Sequence, residues 1–449
     1  MDPVLATETP STFRILTLII FILAILHTLF ANHFVTLANH VEALYARKHK
    51  KEKPSKRISF MAEILRFLGE IEIVFAFWAI PLMIVILSFY DWKTALNYLN
   101  SRIYEEPFFI VIIMSLASTR PIFQFAEKAT HFIAKRFGDT PGAWWLTIMT
   151  LSPLLGSIIT EAAAMTIGAL ILKKRFYECG VSRKLAYGTL GLMFVNFSVG
   201  GVLTNFAAPP SVILTNCYHW TAADFFRQFG VKTLVGIVMV NLLYFFIFRD
   251  EFKKLKKFKP EVQLGIKKEE RVPFWITCIN LAFISWVILM KEYSAIFIGS
   301  YLLFLGFHHA TRPYQDQITL RKPLMVGLFL AGLMIHVEFQ KWWIERLLTH
   351  LNYGQMMITG LIVTAFSENS VLAQLSCLIP DLTALLKYAL VAGFIAGGGL
   401  TVIAHAPNLV GQTILKKYFR HGVSPLYLFL GALGPTLVFF VIYYFFPPM

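Results

Sequence analysis

Long apolar runs, separated by short polar or basic stretches, recur from one end of the chain to the other. A run of about 20 apolar residues can cross the hydrocarbon core of a bilayer as an α-helix. The pattern predicts ten crossings, at residues 13–38, 71–90, 107–122, 185–219, 229–249, 273–290, 294–310, 322–345, 383–416 and 425–446. We therefore predict an all-α polytopic membrane protein, since a transmembrane β-barrel would show short alternating segments.

Two further apolar stretches, 143–172 and 353–379, are interrupted near their centres by polar clusters. The clusters read "ITEAAA" (159–164) and "SENS" (367–370). Each half of such a stretch has about a dozen residues, which is too short to cross a bilayer. We predict two re-entrant hairpins, each of which enters the membrane and returns to the same side.

Two of the predicted crossings carry glycine and proline near their centres. The segment "VGGVLTNFAAPPSVI" (199–213) aligns with "AGGGLTVIAHAPNLV" (396–410) at a constant offset of 197. Glycine and proline interrupt the helical hydrogen-bond ladder. The predicted backbone breaks fall at Gly200, Gly201, Pro210, Gly397, Gly398, Gly399 and Pro407.

The hairpin tips also align, "TEAAAM" over "SENSVL" at an offset of 207, which places Glu161 opposite Glu368. Each half of the chain then holds three crossings, a hairpin, a broken crossing and a last crossing. Five crossings is an odd number, so the second half is inverted relative to the first. The predicted domains are an N-terminal repeat (1–248), a basic cytoplasmic linker (249–272) and an inverted C-terminal repeat (273–449).

Inverted repeats with hairpins and broken helices are typical of secondary transporters. Irregular backbone is tolerated at membrane depth where protein covers it or where it lines a wet cavity. A kinked and packed helix is the alternative for either break alone. Two breaks in matching places, each after a polar tip, favour the transporter.

The net charge of +15 raises the possibility of a nucleic-acid partner, but the distribution of charge points to a membrane. Cytoplasmic loops of membrane proteins carry an excess of lysine and arginine. Thirty of the 41 such residues lie in six segments predicted inside, at 46–57, 123–142, 173–184, 249–272, 309–322 and 416–424. Both termini are then outside, and the expected partners are small inorganic ions and the lipid bilayer, with no nucleic acid.

Four cysteines, Cys179, Cys217, Cys278 and Cys377, are scattered without metal-ligand or redox spacing. We interpret them as packing residues. The motif H-E-x-x-H of metalloproteases and the serine elbow G-x-S-x-G are absent from the chain. We therefore do not expect an enzyme, a cofactor, or any metal besides a transported cation.

The pattern GG-x-LT…AP-N at Gly398–Asn408 is similar to the glycine–threonine loop of the ion transporter superfamily. That superfamily includes arsenite pumps, NhaD-type sodium/proton antiporters and divalent anion/sodium symporters, and the chain most resembles its group of "putative sodium/proton antiporters". The resemblance implies that two hairpin tips and two unwound loops meet at a central site. It also implies a moving transport part and a scaffold part that forms a homodimer. We expect a bacterial inner membrane, and the charge distribution then makes the termini periplasmic.

The tips depart from the symporter branch of that superfamily, which carries Ser-Asn-Thr at both. Here they read Thr160-Glu161-Ala162 and Ser367-Glu368-Asn369, which weakens the case for dicarboxylate transport.

Glu161 and Glu368 are the leading candidates for ion and proton binding, because charged groups at membrane depth are costly and usually functional. A carboxylate removed from water holds a proton more readily, whereas a nearby sodium ion favours its ionised form. The alternative is that the tips reach the opposite headgroups and the glutamates are solvated. The oxygen ligands that hard cations prefer are available, alternatively as helix caps, from Thr160, Ser367, Asn369, Ser370, Thr204, Asn205, Thr401 and Asn408.

His405 lies in the second break opposite Ala208 and is either a proton relay or a packing residue. These candidates predict a sodium/proton antiporter that works by alternating access. The alternative is a sodium- or proton-coupled anion transporter, for dicarboxylate or an arsenite-like substrate. No lysine or arginine lies in either tip or either break, which counts against a highly charged anion.

Overall fold

A computed structural model describes residues 10–48, 59–102, 104–255, 271–318, 320–379, 381–419 and 422–448. Within these ranges the chain is helical and contains no β-strand. Much of the basic loop 46–57 and residues 256–270 of the predicted linker lie outside the described residues.

The chain divides into two compact units, each of which takes segments from both halves of the sequence. The first unit comprises Met1–Pro107 and Leu324–Arg346. Its helices are α1 (Ser11–Lys48), α2 (Phe60–Leu68), α3 (Val74–Phe89), α4 (Trp92–Asn100), α16 (Arg321–Val337) and α17 (Lys341–Leu348). The first residues of α16 belong to the second unit.

The second unit comprises Phe108–Pro323 and Leu347–Met449. Its helices are α5 (Glu105–Ala117), α6 (Arg120–Arg136), α7 (Pro141–Ile159), α8 (Glu161–Arg175), α9 (Arg183–Gly200), α10 (Pro209–Tyr218), α11 (Ala222–Phe225), α12 (Val231–Ile247), α13 (Arg249–Lys254), α14 (Phe274–Leu289), α15 (Ser294–Ala310), α18 (Tyr353–Phe366), α19 (Asn369–Ser376), α20 (Ala384–Gly397), α21 (Ala406–Leu415) and α22 (Pro425–Phe445).

Seven helical runs of the described chain are long and apolar enough to cross a membrane. They are Ser11–Ala31, Ile71–Phe89, Pro141–Ile159, Arg183–Leu203, Ala222–Ile247, Arg321–Leu348 and Pro425–Phe445. Six of the seven match predicted crossings. The predicted crossings at 273–290 and 294–310 are the shorter apolar helices α14 and α15.

The predicted crossing at 107–122 is wrong as a single helix. The helix α5 ends at Ala117, and α6 begins at Arg120 after a bend of 63°. Pro121 explains the bend, because proline has no N–H to donate to the Ala117 carbonyl four residues back and is well placed in a first helical turn.

The first predicted hairpin has one arm longer than expected. The helix α7 has 19 residues, because with Thr140 as its cap it begins at Pro141, two residues before the predicted start, and it continues to Ile159. By length alone α7 can cross a membrane. In the second predicted hairpin, α18 and α19 have 14 and 8 residues. Re-entrancy of both hairpins stays a prediction.

The interpretation of all four cysteines as packing residues is wrong for two of them. Cys217, in the last turn of α10, forms a disulfide with Cys377, which directly follows α19. The two residues are 160 positions apart, with Cα atoms separated by 5.5 Å. Cys179 and Cys278 are free thiols in the described chain.

The first unit is fastened by contacts between residues distant in sequence. The Tyr98 hydroxyl donates to the Ile335 carbonyl at 2.5 Å, and Arg102 pairs with Glu338 at 3.0 Å. The rings of Phe13 and Phe339 pack edge to face. These contacts explain why a segment near residue 335 clusters with the first hundred residues.

In the second unit, the two interrupted helices are the most deeply buried elements. Every residue of the apolar window within Arg183–Leu203 is buried, and so are the last ten residues of α20. Protein covers most of the irregular backbone that follows each of them, since residues 201–203, 207–208, 398–400 and 404–405 are buried and residues 204–206 and 401–403 are half-buried.

Candidate functional site

Two interruptions of the helical backbone lie in the second unit, at the residues where the sequence places them. The helix α9 ends at Gly200, a 3₁₀ turn spans Gly201–Leu203, and α10 begins at Pro209. The helix α20 ends at Gly397 and α21 begins at Ala406. Gly398 and Gly399 open the second interruption, and Pro210 and Pro407 lie in the first turns of α10 and α21.

Each hairpin tip is hydrogen-bonded to the interruption in its own half of the chain. The Glu161 N–H donates to the Ala207 carbonyl at 3.2 Å, and the Asn369 N–H donates to the Ala404 carbonyl at 3.0 Å. Ala207 and Ala404 are aligned by the offset of 197. The same backbone contact therefore recurs in both halves.

A second pair of matching contacts lies beside the first. The Thr204 hydroxyl donates to the Ser157 carbonyl at 2.7 Å, and the Thr401 hydroxyl donates to the Ala365 carbonyl at 2.8 Å. These hydroxyl groups fasten the interruptions to the preceding hairpin arms, so their protons are not available to a ligand.

The matching contacts correct the register of the tips. Both pairs relate the hairpins by an offset of 208, which places Asn369 at the position of Glu161 and Glu368 at the position of Thr160. The offset of 207 is wrong because it aligned glutamate with glutamate, whereas the backbone aligns the first residue of α8 with the first residue of α19. Glu161 and Glu368 thus occupy different positions in their tips.

The carboxylate of Glu161 lies at the centre of the cluster. It is 1% exposed, and its Oε2 shares a hydrogen bond of 2.5 Å with Nε2 of His405, which is fully buried. The other carboxylate oxygen, Oε1, and the other ring nitrogen, Nδ1, have no hydrogen-bond partner among the described residues. The first tip and the second interruption therefore meet through two titratable side chains.

Gly201 makes room for this carboxylate. A Cβ atom at position 201 would lie 2.0 Å from Cγ and 2.1 Å from Oε1 of Glu161, well inside van der Waals contact. The glycine predicted to break a helix therefore also forms the wall against which the carboxylate rests.

Glu368 belongs to the same cluster but has a different partner. It precedes α19, and its Oε2 accepts the Ser370 N–H at 2.8 Å. It is 8% exposed and lies close enough to Glu161 and His405 for their charges to interact. The cluster thus holds two carboxyl groups and one imidazole.

Several buried polar groups near the tips make no hydrogen bond within the described chain. Both polar side-chain atoms of Asn369 and Oδ1 of Asn408 have no hydrogen-bond partner in the described chain, and the Ser370 hydroxyl lies beside the Glu368 carboxylate. The Asn408 amide nitrogen donates to the carbonyls of Gly398 and Thr401, at 2.8 and 2.9 Å. Buried polar groups are normally paired, so these oxygens are candidates for holding an ion.

Three predicted ligands have local roles instead. Thr160 caps α8, with its hydroxyl oxygen 3.5 Å from the Ala163 nitrogen, and the Ser367 hydroxyl donates to the Val363 carbonyl. Asn205 contributes its backbone carbonyl, which accepts the Thr215 hydroxyl at 3.2 Å.

Thr160 also has a strained backbone. Its φ of 92° is rare for any non-glycine residue and rarer still for a β-branched one. Such strain persists only where surrounding structure imposes it and is common at functional sites.

Sequence reasoning did not select Ser157 or Ser211. The Ser157 hydroxyl donates to the Gly200 carbonyl and accepts the Leu203 N–H, so it fastens both sides of the first interruption. Ser211 is fully buried in α10, and its hydroxyl has no partner among the described residues. A serine inside an apolar helix is the only signal that either residue carries.

A family model described as "Putative Na+/H+ antiporter" matches residues 12–446. The chain belongs to this family. No curated protein matches it. Family membership and the seven apolar spans identify an integral membrane protein of the sodium/proton antiporter type, with ions as its substrates. In the described chain, no group of three or more histidine, cysteine, aspartate or glutamate side chains is arranged to hold a metal ion.

Proposed function

We propose that this antiporter exchanges sodium for protons by alternating access, and that Glu161 and His405 carry the exchange. The contact of 2.5 Å between these two buried side chains is the observation that supports the proposal. It joins two elements far apart in sequence through groups that both hold protons.

The pair can exchange a proton for a cation at one position. When protonated, the pair holds one hydrogen between Glu161 Oε2 and His405 Nε2. When the proton leaves, the carboxylate carries a full negative charge in a buried site, where a sodium ion is the natural replacement. Proton and sodium then compete for the same group, so each can drive the other.

Oxygen atoms around the carboxylate are suited to complete a sodium site. Glu161 Oε1 and the side-chain oxygens of Asn369 and Asn408 have no partner in the described chain, and the Ser370 hydroxyl lies beside the Glu368 carboxylate. The contacts Asn369–Ala404 and Glu161–His405 bring the second tip to the first, since residues 404 and 405 are neighbours. Hard cations prefer such oxygen ligands.

The proposal includes an inverted repeat in which both hairpins are re-entrant. The paired contacts at offsets of 197 and 208 support it, because unrelated segments would have no reason to repeat them. Half-helix ends that meet near the bilayer midplane are the usual binding site of transporters built from such repeats.

The proposal also places both termini outside a bacterial inner membrane, in a homodimer. The distribution of lysine and arginine supports the orientation. The homodimer comes from the resemblance to the ion transporter superfamily.

The test is proton movement driven by sodium in proteoliposomes that contain the purified full chain. We expect Glu161→Gln to lower the rate by about tenfold or more, because the amide cannot exchange a proton. The matched control is Glu292→Gln, whose carboxylate is 68% exposed, and it should leave the rate unchanged. In the unmodified protein the apparent sodium affinity should fall as pH falls, since protons occupy the same group.

Two further variants separate the roles within the cluster. His405→Gln should change the pH profile of transport, whereas Glu368→Gln tests whether the second carboxylate exchanges protons. Sodium-driven proton movement at full rate in Glu161→Gln would remove the mechanism. Transport that depends on an added anion instead would favour the anion carrier.

A further inference from the structure

The disulfide joins two half-helices that both start at the candidate site. The helix α10 follows the first interruption, and α19 follows the second tip. Cys217 lies at the far end of α10 and Cys377 at the far end of α19. With 10 and 8 residues, the two helices extend about 15 and 12 Å from the site to the disulfide.

The predicted orientation puts both cysteines on the same side of the membrane. The fourth crossing runs outward from the basic segment 173–184, so Cys217 lies at its outer end. The second hairpin is predicted to enter and leave on the outside, so Cys377 is outside as well. Disulfides persist in oxidising compartments such as the periplasm and are rare in the cytosol. The disulfide and the charge distribution, which are independent, therefore give the same orientation.

We propose that the Cys217–Cys377 disulfide is closed on the outer face of the membrane and makes α10 and α19 one body throughout the transport cycle. Outward access to the site then opens elsewhere, not between these two helices. Because 160 positions separate the cysteines, the bond forms only after the second half of the chain has been inserted and has packed against the first. The statement about transport rests on the proposed exchange of sodium for protons, and the side of the bond rests on the proposed orientation, whereas the bond itself rests on neither.

Closing the bond is a thiol–disulfide exchange. The thiols of Cys217 and Cys377 lose two protons and two electrons, and one S–S bond forms between them. An external disulfide, carried by a small molecule or an oxidoreductase, accepts the two protons and two electrons and is reduced to two thiols.

The first experiment tests whether the bond is present in the full chain in cell membranes. Free thiols are blocked with an alkylating reagent, and non-reduced peptides are analysed by mass spectrometry. We expect a linked pair of peptides that contain Cys217 and Cys377, with Cys278 alkylated as the internal control. Unlinked, alkylated Cys217 and Cys377 in protein from untreated cells would overturn the proposal.

The side of the membrane on which the bond lies is tested with a membrane-impermeant reductant followed by an impermeant maleimide. Intact cells should label both cysteines, and sealed inside-out vesicles should label neither. Labelling from the inner side only would overturn the external location. Neither readout requires transport, so failure here is distinguishable from failure of the antiporter proposal.

The mechanical role is tested in proteoliposomes with three samples: the oxidised protein, the reduced protein and Cys217→Ser/Cys377→Ser. We expect equal sodium-driven rates in all three, with a lower thermal unfolding temperature when the bond is absent. A rate that changes about fivefold or more on reduction, and does so only when both cysteines are present, would show that α10 and α19 separate during transport.

Discussion

At the scale of single residues, Gly201 is the least tolerant neighbour of the candidate site. A Cβ atom at this position would overlap the Glu161 carboxylate, so Gly201→Ala must displace either the tip or the turn that follows α9. We expect sodium-driven transport to fall by about tenfold or more, since a small misplacement of a reacting group is enough to cost that much.

Gly299→Ala is the matched control for that variant. Gly299 lies in α15, where an added Cβ meets nothing within 4 Å. Alanine there should leave transport unchanged and raise stability by about 0.5–1 kcal/mol, as expected for glycine inside a helix. A Gly201→Ala variant with an ordinary rate and an ordinary sodium affinity would show that the glycine does not position Glu161.

The titratable residues of the site could be found from sequence, but their partners could not. Glu161, Glu368 and His405 each interrupt an apolar stretch, and the cost of burying such groups singles them out. That Glu161 contacts His405 rather than Glu368 depends on how two segments 244 positions apart pack, which no local pattern encodes.

At the scale of helices and loops, the hydrogen bonds of the Ser157 side chain to the first interruption have no counterpart in the second. The Ser157 hydroxyl bonds to both Gly200 and Leu203, whereas the offset of 208 places Ala365 at the corresponding position. The second interruption therefore lacks the serine bonds of the first, and the Asn408 amide holds it instead by donating to the carbonyls of Gly398 and Thr401.

Ser157→Ala tests how much the two hydrogen bonds of this side chain contribute to stability and to transport. It leaves a buried carbonyl and a buried N–H without their partner, at a cost of about 1–3 kcal/mol. We expect a lower thermal unfolding temperature and slower transport. Ser88→Ala, which removes an exposed hydroxyl bonded within its own helix, α3, should change neither. Equal unfolding temperatures for the two variants would contradict the role assigned to Ser157.

Helix types and most helix positions follow from the sequence, while lengths and bends do not. The glycines at 200 and 397 end α9 and α20 where expected, because the local backbone decides such ends. The bend at Arg120 depends on Pro121, and the length of α7 depends on the cap at Thr140. Each of these is a single residue, and its signal is weaker than that of the apolar run beside it.

At the scale of the whole molecule, halves of the sequence and compact units of structure are different divisions. The first unit joins the first hundred residues to the segment around Glu338, through bonds such as Arg102–Glu338. Hydrophobic patterning predicts where a chain crosses a membrane, but it does not predict which crossings pack together. The pairing of Cys217 with Cys377 was missed for the same reason.

The orientation of the whole chain is the property that sequence specifies most directly, and it can be tested without any transport assay. Lysine and arginine next to membrane spans resist translocation, so the six basic segments should stay inside and both termini should lie outside. We expect a C-terminal fusion to a reporter that is active only outside the cytoplasm to be active after Phe445, the end of α22. The matched fusion after Tyr418, which ends the basic turn that follows α21, should be inactive. The opposite pattern would place Cys217 and Cys377 in the cytosol and would contradict the orientation and the external disulfide together.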